Sequence, residues 1–150
     1  MKQRMKQLCQ NFPYLRVEHS YMIFRVTLAV LFMAHAIRRF FEANYFYEFA
    51  NFLDQRHVPF GFAVVCTATL IEIVGGSLLI FNQFVKWVAL GFFCISVGGI
   101  IIIHAQLGWF VGEWGTGGVE YSVALCAMCL LLAVLDRDQL GKNELKRVSA

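Results

Sequence analysis

Apolar residues run almost unbroken through four stretches of this chain: about Tyr21 to Phe41, Phe60 to Phe81, Val85 to His104 and Val119 to Leu135. A helix needs about 20 residues to cross a hydrocarbon core of roughly 30 Å, and each stretch reaches or approaches that length. The stretches lack period-two alternation and are too long for strands. The pattern predicts four spanning helices, the fourth short at both ends and recruiting Gly117 and Gly118, or Asp136, at the interface. Between the first two, Phe41, Tyr45, Phe46, Phe49, Phe52 and Leu53 recur at helical spacing opposite Glu42, Asn44, Glu48, Asn51 and Asp54. That segment predicts an amphipathic helix on the membrane surface, a connector in preference to a lid. The fold class is therefore all-α: an integral membrane four-helix bundle with an amphipathic interfacial segment between helices 1 and 2. Residues 1–20 form an N-terminal segment, 21–136 the membrane domain and 137–150 a charged tail.

Composition agrees with this class. Hydrophobic residues make up 59% and charged ones 15%, against about 45–50% and about 25% in soluble domains. A net charge of +3 with basic residues flanking apolar runs gives no case for nucleic acid. Met1 to Ser20 is too polar for a cleaved signal peptide, and none is expected. If the N-terminus is cytoplasmic, that side receives Lys2, Arg4, Lys6, Arg16, Lys86, Arg137, Lys142, Lys146 and Arg147. The outer side receives only Arg38, Arg39 and Arg56. The positive-inside rule therefore places both termini in the cytoplasm.

Ionisable residues inside the spans are the candidate chemistry, because lipid excludes unpaired charge. Arg25, Phe32, His35 and Arg39 fall within a sector of roughly 80° on helix 1, at about 100° per residue. Glu72 sits mid-way along the second span. Counted in from the cytoplasmic span ends, Arg25 and Glu72 differ in depth by roughly 6 Å at 1.5 Å per residue, so an Arg25–Glu72 ion pair is expected. A clasp fixing helix register is its leading reading, and a proton or ligand site the other. Gly75 and Gly76, and likewise Gly91, Gly98 and Gly99, predict tight-packing faces. His35, Arg39, His104 and Glu120 share one outer depth on three helices, with Tyr121 beside them. His and Glu there could relay protons, and the Arg could bind a carbonyl or an anion. No His-x-x-x-His spacing supports a metal, and none is expected.

The cysteines are odd in number, five, which excludes a full disulfide framework. Cys126 and Cys129 form a C-x-x-C on one helix face. A membrane dithiol is the sharper reading; two small apolar residues is the favoured one, since mid-membrane surroundings do not activate a thiolate. Trp109, Phe110 and Trp114 read as an interfacial aromatic belt in preference to a ligand-stacking platform.

These residues together resemble the DoxX family of small four-helix bacterial membrane proteins. The likeness begins with Arg25 and the run Leu31 to Phe40, similar to the family's Phe-x-x-His-Gly-x-x-Lys-Leu. It continues through Leu70 to Leu79, which resembles Glu-x-x-Gly-Gly-x-Leu-Leu, and closes with His104 and Gly117-Gly118-Val119-Glu120-Tyr121. It covers roughly residues 22 to 136. Ala36 replaces the family's Gly and Arg39 its Lys, and the Gly-rich ending around Leu135 to Leu140 is absent.

The resemblance implies a bacterial cytoplasmic membrane protein acting as a quinone-interacting subunit of an oxidoreductase complex linked to sulfur or thiol chemistry. A quinone would be the cofactor, held by His35, Arg39 and Tyr121, with His104 and Glu120 exchanging protons as the catalytic pair. No flavin, haem or iron–sulfur motif is visible, so electrons would come from a partner, such as a soluble redox protein, or from a soluble reductant. Besides the lipid bilayer, a homo-oligomer is compatible with the chain. The alternative is a non-catalytic scaffold whose polar residues only fix helix packing.

Overall fold

The computed structural model describes residues 14–42, 44–111 and 117–148, with side chains as far as Asp138. Cys9, Trp114, most of the N-terminal segment and the side chains of Lys142, Lys146 and Arg147 lie outside the described residues. Among the described residues five α-helices follow in order: α1 (Val17–Phe41), α2 (Tyr45–Gln55), α3 (Gly61–Ile80), α4 (Val85–Ile102) and α5 (Glu120–Val148). A single 3-10 turn, His104–Gln106, follows α4, and no strand occurs among the described residues. Each predicted helix is present with shifted ends. α1 starts ahead of Tyr21, His104 leaves α4 for the 3-10 turn, and α5 continues through the segment expected as a charged tail.

Pairing is uneven. α1 lies broadly against α3, and α4 against α5; α3 meets α4 more narrowly, and α1 touches α5 only lightly. The main core joins Leu28, Ala29 and Phe32 of α1, Leu79 of α3, Val88, Ala89 and Phe92 of α4, and Cys129 and Leu132 of α5. Phe32 stacks on Phe92 with centroids 4.0 Å apart. A smaller cluster holds Ala50 and Leu53 of α2 on Val65 of α3, edged by Phe46, Phe49, Phe52, Val58 and Ile102. The apolar face read in the sequence of α2 is thus turned onto α3.

Two glycines set the helix spacing. A Cβ on Gly75 would come 2.9 Å from Val88 Cγ1 and 3.0 Å from Phe92, and one on Gly76 would meet Met33 Sδ at 2.6 Å. These positions make the tight faces expected of small residues. The face predicted on α4 does not form. A Cβ on Gly91 meets only Ile71, at 3.7 Å, one on Gly99 only the His104 ring, at 3.8 Å, and one on Gly98 nothing within 4 Å. α3 and α4 touch at Gly75 and part beyond it.

The Arg25–Glu72 pair is not formed. Ala29 and Met33 lie against Gly76, so antiparallel packing puts Arg25 beside the last turn of α3, about two turns or ~12 Å from Glu72. Helical side chains also lean towards their own N-terminus, which carries Arg25 further away. Its guanidinium instead sits 5.6 Å from the Tyr21 ring, buried and with Nε lacking a hydrogen-bond partner. The Tyr21 hydroxyl donates to Asp136 Oδ1 at 3.5 Å, and Asp136 Oδ2 accepts the Lys86 N–H at 3.2 Å. This carboxylate ties α1, α4 and α5 at one end of the protein. Asp136→Ala is expected to cost about 1–3 kcal/mol by leaving the Lys86 N–H unsatisfied, read as a lower melting temperature in detergent.

Candidate functional site

At the other end, where α3 and α4 part, the helices enclose a cavity of about 810 Å³. The site is built around one charged pair. Thr69 and Glu72, three residues apart, share the face of α3 turned to α1. Arg39, near the C-terminus of α1, leans back towards the middle of the protein and meets both. Its Nη1 donates to Thr69 Oγ1 at 2.9 Å and to Glu72 Oε2 at 2.5 Å, and its Nη2 to Glu72 Oε1 at 3.3 Å. The two side chains are only 9% and 3% exposed, so each charge depends on the other. The Phe49 ring of α2 lies 5.5 Å from the guanidinium and adds a cation–π contact.

Of the residues picked from the sequence, His35, Arg39, Glu72, His104 and Tyr121 all line this cavity. His35 is exposed to it from α1. His104 is placed by the 3-10 turn, its ring lying over Gly99. The His104 Nδ1 is buried without a hydrogen-bond partner, and Ser96 of α4, another lining residue, is buried as well.

Glu120 is not part of the lining. Its Oε1 accepts the Val111 N–H at 2.9 Å, and its own N–H donates to the Trp109 carbonyl, so it secures the segment preceding α5. Cys126 and Cys129 also lie off the cavity, Cys129 fully enclosed in the main core. Among the described residues no three His, Cys, Asp or Glu side chains gather as a metal site.

Thr69, Ser96 and Phe49 were not singled out from the sequence. Thr69 carried a usable signal, since it lies one turn from Glu72 on the same face; Ser96 and Phe49 become visible only once the helices are assembled.

The cavity and the helices around it define an integral membrane protein. α1, α3 and the segment Val85–Gln106 are each long and apolar enough to cross a bilayer. Their outer surfaces carry Val30 and Ile37, Leu70 and Val74, and Ile101, exposed residues that water would not tolerate in such density and that lipid covers. The DoxX family model matches residues 20–105, and the chain belongs to the DoxX family. The matched range holds His35, Arg39, Glu72 and His104 and ends before Gly117–Tyr121. No match was found among curated proteins or solved structures.

Proposed function

We propose that this protein is a quinone-interacting membrane subunit of an oxidoreductase complex linked to sulfur or thiol chemistry. In this reading α1, α3, α4 and α5 form a four-helix bundle in the bacterial cytoplasmic membrane, with both termini cytoplasmic and α2 at the outer interface. Leu130, Leu131 and Val134, exposed on α5, support a fourth crossing. The observation that carries the function is the cavity. At about 810 Å³ it lies within the roughly 300–1,000 Å³ of ligand sites, mostly apolar with a few convergent polar groups.

Charge narrows what the cavity accepts. Glu72 offsets Arg39 and Glu42 pairs with Arg38 at the rim, so among the described residues no lining guanidinium is left without a counter-charge to favour an anion. His104 Nδ1 and the exposed imidazole of His35 are the groups best placed to hydrogen-bond a quinone oxygen. Reduction of a quinone to a quinol takes two electrons and two protons. An imidazole can both give and take a proton, which suits the exchange, and a soluble redox partner would supply the electrons. Arg39, Glu72 and Thr69 hold the wall in shape, and Tyr121 borders it.

Mass spectrometry of lipids that co-purify in mild detergent tests this reading. The wild type is expected to carry quinone above its share of membrane lipid. His104→Ala and His35→Ala should each lose at least fivefold of it while melting as the wild type does. A folded wild type with no quinone enrichment would favour the scaffold, for which Arg39–Glu72 is then simply a clasp between α1 and α3.

A further inference from the structure

We propose that the ligand reaches the cavity sideways from the bilayer, through an apolar mouth between α3 and α4 with Gly98 as its threshold. This deepens the reading of the cavity as a ligand site and rests on it. Several lining residues lie at the protein surface rather than inside it: Ala63, Val64 and Thr67 on α3, and Cys94 on α4. The opening is bounded on both sides. Below it, Gly75 brings α3 onto Val88 and Phe92; above it, Ile102 packs against the cluster of Ala50, Leu53 and Val65. Between those contacts a side chain at Gly98 would meet nothing within 4 Å.

The chemistry of the mouth selects what passes. The only hydroxyl there, on Thr67, donates to the carbonyl of Ala63 in its own helix at 2.8 Å. The mouth therefore presents hydrocarbon, one thiol and a hydroxyl whose proton is already used within its own helix, a surface that offers little to water or an ion. Polar groups begin deeper, at Ser96, His104 and the Arg39–Glu72 pair. A neutral molecule dissolved in lipid, with a flat oxygen-bearing head, fits this sequence of surfaces. Its head would lead to the histidines while its tail stays in the acyl region.

The test uses the full chain in lipid nanodiscs and a tailed azidoquinone dissolved in the bilayer, with adducts mapped by peptide mass spectrometry after illumination. In the wild type, adducts should fall on residues 63–67 and 94–98 and near His35 and His104. Gly98→Phe should cut labelling near the two histidines at least tenfold with the melting temperature unchanged. If that variant does not fold, Thr67→Phe, across the same mouth, should give the same loss. Undiminished labelling in folded variants would mean another route, such as the side where the exposed His35 and Tyr121 border the cavity, and would overturn the lateral mouth while leaving the cavity as the site. Equal labelling by a photoreactive phospholipid would make the mouth an ordinary lipid groove and also overturn it. No wild-type adduct at any cavity residue would overturn the site itself.

Discussion

Glu72→Gln is expected to lower the stability of the folded protein by about 3 kcal/mol, since removing one partner of a buried pair typically costs 3–5 kcal/mol. The substitution keeps a hydrogen-bonding oxygen for Arg39 but removes its only counter-charge among the described residues, inside a wall where the two side chains are 9% and 3% exposed. Unfolding in a detergent titration would read the loss. Changing Arg39 and Glu72 together to Gln should recover much of it, because neither charge is then stranded. The same cycle run on Arg25 and Glu72 should be additive, as expected of groups ~12 Å apart with no shared partner. Coupling between Arg25 and Glu72 would contradict the register described above.

Gly61→Ala should be nearly as damaging. Gly61 is buried where the start of α3 passes under α2. Its N–H donates to Asp54 Oδ1 at 2.9 Å, so a side chain of α2 satisfies one of the free donors at the start of α3. A methyl there would land on the Ala50 carbonyl oxygen and lie 2.7 Å from Asp54 Oδ1. The carbonyl belongs to a helix and cannot swing aside, so the cost should reach about 3 kcal/mol, the upper part of the range for overpacking. The damage should be local. Hydrogen exchange in residues 45–55 should rise well before that in α4, because α2 would lift from Val65 while the core around Phe92 stays closed.

Much of this architecture was legible in the sequence. Three of the four expected spans are helices long and apolar enough to cross a membrane, and the amphipathic segment is the helix α2, its apolar face packed on Val65 of α3. Counting along helices also set His35, Arg39, His104 and Glu120 at one depth; the first three line the cavity together with Tyr121, whereas Glu120 is held by the Val111 N–H away from it. The Glu72 partner did not, for two reasons. Depth counted from span ends assumes that neighbouring helices end level, whereas α1 is displaced along α3. A count also ignores that side chains lean towards the helix N-terminus, which turns Arg39 towards Glu72 and Arg25 away. The glycines show a further limit. Gly76 and Gly98 look alike in a sequence, yet one is pressed against Met33 and the other borders empty space. A gap is a property of how helices diverge, and no single residue encodes it.

The compensation of Arg39 by Glu72 has an electrical consequence. A transmembrane voltage acts on net charge with about 2.3 kcal/mol per elementary charge per 100 mV across the full span. A matched pair fixed in the wall carries no net charge for the field to move, and a neutral ligand settling beside it displaces none. Occupancy of the cavity should therefore stay the same whether the membrane is energised or depolarised, so that binding follows the ligand's abundance in the lipid alone.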